Sequence, residues 1–262
     1  MSTYKEPLYN QAYMDVGQGP VVILLHGLFG NLAMWRPTIQ ALQDRYRVIV
    51  PRLPFFGEPI FRTSIDNLIL ALHEFIDWHQ LSNVTLVGTD LGGLVALCYA
   101  DQYPENVSQI ALSGSSGLSE NLAYSKDYAV IRDQIQQVFY ENKFASFHLV
   151  NSIYQTMNTA PNGLYVKYFT ESSQEMNVSN FIRSLRLPVL LVWGLQDKIT
   201  TPEVALQFHD LLPNGTVKFV DECGHLPMVE QSEIYVSHLV SFLDSVSRPA
   251  RSDRRVEASA GS

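Results

Sequence analysis

Six short runs of nearly unbroken Val, Ile and Leu recur along the chain: Val21–Gly27, Arg47–Leu53, Val84–Thr89, Val107–Gly114, Val189–Gly194 and Thr216–Glu222. Runs of this length without polar alternation suit strands covered on both faces, a condition met in parallel sheets. Stretches with apolar residues at helical spacing separate them. Over Ser64–Gln80 the apolar positions are Ile65, Leu68, Ile69, Leu72, Phe75 and Ile76, one face of an α-helix. Leu91–Gln102, Glu203–Leu212 and Ser232–Val246 read the same way. The alternation predicts an α/β fold with a mostly parallel central sheet flanked by helices. Ahead of the first run, Asp15–Pro20 reads as a turn after an antiparallel N-terminal strand.

The rhythm breaks between about Ser115 and Arg186. No strand pattern is found there, but helical patterns occupy Tyr128–Tyr140, Phe144–Met157 and Leu164–Met176, and Tyr124, Tyr128, Tyr140, Tyr154, Tyr165 and Tyr168 crowd the segment. An insertion after a strand's C-terminal end falls where open α/β sheets bind ligands. The expected organisation is a core of residues 1–114 and 187–246, a helical cap at 115–186, and a disordered tail at 247–262. The tail holds the one basic cluster, Arg248, Arg251, Arg254 and Arg255.

Composition narrows the function. With 46% apolar and 17% charged residues, the 262-residue chain can bury a substantial core. Its net charge of −8 disfavours a nucleic-acid surface, which needs clustered Lys and Arg. Cys98 and Cys223 are too few for a disulfide framework or a thiolate zinc site. The polar start from Met1 to Asn10 lacks a secretory h-region, and no apolar run is long enough to span a membrane. The expectation is a soluble, cytoplasmic monomer or homodimer acting on a small molecule, without cofactor or metal.

The chemistry concentrates at Gly88-Thr89-Asp90-Leu91-Gly92-Gly93, between a strand and a helix. This is the pattern of a nucleophile elbow, in which small residues let strand and helix approach closely. The plain alternative is Asp90 as a helix N-cap. Two further loops argue for function: Asp197 follows the strand ending at Gly194, and His225 follows the last strand within Cys223-Gly224-His225-Leu226-Pro227, with Glu230 expected to begin the final helix. The order nucleophile, acid, histidine is that of a hydrolytic triad. Upstream, His26-Gly27-Leu28-Phe29-Gly30 can offer the Leu28 N–H, which with the Leu91 N–H would make an oxyanion hole. His26 reads as structural. Trp35 and Phe29 suit either pocket or core, and Trp78 suits the core. His73, His79, His148, His209 and His238 show no metal-ligand spacing.

At these residues the chain resembles the α/β-hydrolase superfamily, from about Val16 to Leu243. Around Ser113–Gly117 and Cys223–His225 it is most similar to carbon–carbon bond hydrolases and small esterases, which carry Ser at the elbow. The Asp at position 90 is similar instead to haloalkane dehalogenases and epoxide hydrolases. It departs from those at Leu91, where dehalogenases usually have Trp, at Leu28, where their loop often supplies a halide ligand, and at Phe29, where epoxide hydrolases usually have Pro.

An ionised carboxylate attacking an ester carbonyl would give a reactive anhydride, whereas attack on an sp³ carbon gives an ordinary alkyl ester. One reading therefore has Asp90 as nucleophile, His225 as the base that activates water against the ester, and Asp197 as its orienter. A second keeps an ester or carbon–carbon bond substrate, with Asp90 and His225 acting as a general base. A third is an inactive, ligand-binding homologue.

Overall fold

The structure, a computed structural model, describes residues 13–57, 59–60, 63–119 and 123–247. Among the described residues seven strands form one sheet: β1 (Met14–Val16), β2 (Val21–Leu25), β3 (Arg47–Val50), β4 (Val84–Thr89), β5 (Val107–Ser113), β6 (Val189–Gly194) and β7 (Gly215–Val220). Their spatial order is β1-β3-β2-β4-β5-β6-β7. Only β1 runs antiparallel, and it pairs with β3 at the sheet edge, Asp15 facing Ile49. The antiparallel strand thus includes Asp15 and Val16, two residues further than the turn signal suggested, because the turn proper begins at Gly17, whose φ is 78°.

Each side of the sheet has its own apolar layer. Ile39 and Leu42 of α1 (Arg36–Leu42) pack with Tyr235, Leu239 and Leu243 of α10 (Ser232–Ser247) on one side. On the other lie α2 (Ile65–Trp78), α3 (Leu91–Gln102) and α8 (Pro202–Leu211). Helix α3 is apolar all round and buried from Leu91 to Ala100, as a helix enclosed by neighbours must be. Helix α2 follows its predicted face and starts where the Ser64 hydroxyl accepts the Asn67 N–H. Trp78 is not core: it is 58% exposed at the end of that helix, turned off the face formed by Phe75 and Ile76. The C-terminal helix runs through Ser247, so the boundary at 247 falls within it. The arginine cluster and the residues before Tyr13 lie outside the described residues.

Between β5 and β6 come α4 (Tyr128–Val138), α5 (Phe147–Asn158), α6 (Asn162–Glu175) and the single turn α7 (Ser179–Ile182). Helix α5 starts three residues later than its pattern implies because Ser146 caps it, accepting the Leu149 N–H. Helix α4 ends at Val138 instead of Tyr140, and the freed N–H groups of Tyr140 and Glu141 bond to a distant side chain described below.

The strand order locates the ligand site. From β2 the chain steps outward to β3, then crosses back to place β4 on β2's other side. Crevices at such reversals, beyond the strands' C-terminal ends, are where open sheets bind small molecules. Here the reversal brings the ends of β2 and β4 together, with Leu25 beside Gly88. Among the described residues, no helix is long and apolar enough to cross a membrane.

Candidate active site

Asp90 sits at the turn from β4 into α3 with φ 52° and ψ −130°. A non-glycine residue there costs on the order of 1–3 kcal/mol and persists only when its surroundings over-determine it. They do. The Asp90 N–H reaches the carbonyls of Ser113 (3.4 Å) and Gly114 (3.1 Å), and its own carbonyl accepts the N–H groups of Gly93, Leu94 and Ser116. The turn also needs a close approach of backbones: a methyl group at Gly92 would lie 2.3 Å from the Leu25 carbonyl oxygen.

Although Asp90 occupies the N-cap position, its side chain makes no capping bond, which disposes of the plain N-cap alternative. Instead the Leu28 N–H donates to Asp90 Oδ2 (3.1 Å) and the Ser116 hydroxyl to Oδ1 (3.3 Å). The two N–H groups expected to form an oxyanion hole, those of Leu28 and Leu91, therefore both act on this carboxylate. Burial raises the Asp90 pKa above its ordinary 3.8. The nearby His225 and the donors at Leu28, Ser116 and Leu91 oppose that rise without cancelling it.

Beyond β6, Asp197 is buried and fully engaged. Oδ1 accepts the N–H groups of Ile199 (2.8 Å) and Thr200 (3.0 Å); Oδ2 takes the Thr200 hydroxyl (2.9 Å) and His225 Nδ1 (2.9 Å). This arrangement assigns the proton of His225 to Nδ1 and leaves Nε2 as the basic nitrogen. Asp90 and His225 line one cavity. The structure thus brings Asp90, Asp197, His225, Leu28 and Leu91 together. Ser116 and Thr200 were not singled out by sequence, because a hydroxyl's partner depends on tertiary packing. Glu230 lies at the end of a separate turn, α9 (Pro227–Glu230), and Gln231 separates it from α10, so it does not begin the final helix.

His26 plays the structural part expected of it: its Nδ1 bonds the Gly27 carbonyl (2.8 Å), and its Nε2 accepts the Leu53 N–H (3.2 Å). That pins the loop carrying Leu28 to the segment after β3. Phe29 lines the cavity, whereas Trp35 is completely buried in the apolar layer of α1 and α10.

The cavity measures about 290 Å³ and is walled chiefly by apolar side chains, among them Ile131, Ile135, Phe139, Leu149 and Met157 of the insertion. Among the described lining residues the polar side chains besides Asp90 and His225 are Asn31, Thr89, Gln134 and Thr170. None of the described lining residues is a tyrosine, lysine or arginine. Of the insertion's tyrosines, Tyr128 meets Tyr154 edge-on, Tyr165 meets Phe56, and Tyr140 and Tyr168 are exposed. No group of three or more His, Cys, Asp or Glu among the described residues could hold a metal ion.

The buried charge yields a prediction. An acid whose folded pKa is raised is most stabilising when protonated, and that stability is lost as pH rises from the unfolded value through the folded one. Asn at position 90 can accept the Leu28 N–H and donate to the Ser116 oxygen, with no charge to bury. Asp90→Asn should therefore raise stability at pH 7 by about 1 kcal/mol, the gain shrinking as pH falls toward 4. Calorimetric melts across that range measure it; a variant less stable than wild type at pH 7 would contradict it.

A family model described as the alpha/beta hydrolase fold matches residues 20–154 and 142–232. The 2-hydroxy-6-oxo-6-(2'-aminophenyl)hexa-2,4-dienoic acid hydrolase of Metapseudomonas resinovorans is 30% identical, the match covering 88% of this chain and 86% of that protein. A pimeloyl-[acyl-carrier protein] methyl ester esterase of Vibrio cholerae is 26% identical over 86% of this chain and 95% of the esterase. Among solved structures, the α/β hydrolase MGS-MChE2, from the metagenome of Mar Chica lagoon sediments, superposes with a TM-score of 0.76 at 27% identity, covering 89% and 94% of the two chains.

Proposed function

The chain belongs to the α/β-hydrolase fold family, and from that premise we propose that it is a hydrolase whose Asp90 displaces a leaving group from an sp³ carbon of a small, uncharged, apolar molecule. One observation carries the reading: Asp90 Oδ2 already accepts the Leu28 N–H, one of the two donors that a serine enzyme would keep for its substrate's oxyanion. An ester substrate would have to displace it. For an alkyl–Asp90 ester, Oδ2 is instead the carbonyl oxygen on which negative charge develops during hydrolysis.

The steps follow. Asp90 Oδ1 attacks the carbon, and the bond to the leaving group breaks with its electron pair. His225 Nε2 takes a proton from water, and the resulting hydroxide adds to the Asp90 ester carbonyl while the Leu28 and Leu91 N–H groups hold the oxyanion. Collapse expels the alkoxide, which takes the proton from His225, and leaves Asp90 as its acid, which loses a proton to water to restore the carboxylate. Asp197 fixes the imidazole tautomer and stabilises its cation. The net change converts R–X and water into R–OH, X⁻ and a proton. Residues 115–186 act as the cap that keeps this cavity dry.

The lining refines the substrate. Epoxide opening needs a proton donor for the alkoxide, and with no tyrosine among the described lining residues a group that leaves as a stable anion, such as halide, fits better. Asn31 and Gln134 supply the amide donors. A carboxylate-bearing substrate would face the Asp90 charge with no lysine or arginine among the described lining residues to balance it.

The second reading, water activated by Asp90 and His225 against an ester or carbon–carbon bond, is favoured by the names of the relatives. A single turnover in H₂¹⁸O, with enzyme in excess over a short haloalkane or an activated short ester, separates the two. The covalent route delivers ¹⁶O to the first product and leaves ¹⁸O in Asp90. Label in the product with none in Asp90 refutes it in favour of the general-base route, and no turnover of either probe leaves a ligand-binding homologue.

A further inference from the structure

The side chain that receives the N–H groups released at the end of α4 is Glu230. Its Oε2 accepts from Tyr140 (2.8 Å) and Glu141 (3.2 Å), and its Oε1 accepts from Gly224 (2.9 Å), the residue before His225. Beside it, the His225 N–H donates to the Val138 carbonyl (2.8 Å). The two segments are pressed together: a methyl group at Gly224 would come within 2.5 Å of the Val138 oxygen and 3.0 Å of Glu230 Oε1. Helix α4 meanwhile contributes Ile131, Ile135 and Val138 to the cavity wall.

We propose that Glu230 is a positioning residue that locks the α4 wall of the substrate cavity to the loop carrying His225, making wall and imidazole one mechanical unit. The inference rests on His225 acting as the base described above. A carboxylate suits the task because both its oxygens accept, so it can take N–H donors from two sides at once. Burial raises its pKa, and the three N–H groups work against that rise. Gln has the same size but only one accepting oxygen, and its NH₂ would face N–H donors on one side. Asp would be too short to reach both.

The test compares wild type with Glu230→Gln. Amide hydrogen exchange should quicken about tenfold or more at residues 138–141 and 224–225 together. Turnover of a short haloalkane should fall by about 10–100-fold, the effect expected when a catalytic group is misplaced by an ångström or less. Because the His225-dependent step is slowed more than the attack by Asp90, alkylated Asp90 should accumulate during turnover. A merely space-filling Glu230 predicts wild-type behaviour in all three, since Gln fills the same volume, and wild-type exchange or wild-type turnover overturns the proposal.

Should Glu230→Gln fail to fold, Tyr140→Pro removes a donor from the opposite side and leaves Glu230 in place. Phe139 already has the extended backbone (φ −111°, ψ 145°) that a residue before proline requires. Exchange should again rise jointly, now at residues 138, 139 and 141 with 224–225 because position 140 has no amide proton, and its absence rejects the lock. Were His225→Gln to show no adduct, the covalent reading would fall, while the exchange measurement would still decide for or against the lock.

Discussion

His225→Gln should arrest the enzyme halfway, with turnover of a short haloalkane down by about 10³–10⁴-fold and Asp90 carrying the substrate's alkyl group. The asymmetry comes from the chemistry of the two steps. Asp90 needs no base to attack an sp³ carbon once it is ionised, and Leu28, Ser116 and Leu91 remain to orient it. Hydrolysis of the ester does need a base, and the only imidazole lining the cavity, among the described residues, is that of His225. Gln can occupy much of the space but cannot take the proton from water. Intact-mass measurement should show the protein heavier by the alkyl group less one hydrogen, and peptide mapping should place it on Asp90. Because the imidazole also helps keep Asp90 ionised, the probe is offered over a rising series of pH values; a variant that binds it and stays unmodified even at the alkaline end sinks the covalent route, since the imidazole forms and breaks no bond in the first step.

The second large effect is on the fold. Gly92→Ala should lower stability by about 3 kcal/mol, the upper end of what overpacking costs, and lower the melting temperature by roughly 6–12 °C. The added methyl would meet main-chain atoms: Leu25 O at 2.3 Å, Leu25 C at 2.6 Å and His26 O at 2.7 Å. No rotamer relieves such contacts, so α3 must move away from β2. That same movement parts the Leu91 N–H from the Leu28 N–H, and the residual activity should fall with the stability. Denaturant titration with a melt measures the first effect. A wild-type melting temperature would mean that the elbow has slack that its geometry denies.

Much of the core was legible because parallel strands buried on both faces leave an unmistakable apolar record. β4 and β6 match their predicted ends, and the others differ by one to three residues at an end. The site residues were legible because Asp90, Asp197 and His225 each follow a strand, where the loop's place is set by the sheet. Ambiguity remained where local pattern has no access to the answer. Trp78 satisfied a loose apolar count but lies off the helix face. The tyrosines crowd the sequence of the insertion, yet which of them reaches the cavity depends on how α4, α5 and α6 sit over the sheet. Asp90 as an N-cap could be dismissed only by seeing its carboxylate turn toward Leu28. Glu230 was noted for its position in sequence, but its bonds run to residues 89 and 90 positions away.

That dispersal has a kinetic meaning. Leu28, Asp90, Ser116, Asp197, Thr200, His225 and Glu230 are drawn from nearly the whole length of the chain, and the imidazole follows β7, the last strand and an outer one. Contacts between segments so distant form late, after the entropy of closing the intervening loops has been overcome. A chain emerging from the ribosome could assemble β2 to β5 and expose the Asp90 carboxylate well before it acquired an imidazole. Competence to hydrolyse is thus a property of the finished molecule, and no N-terminal fragment ending before residue 225 can possess it by this route.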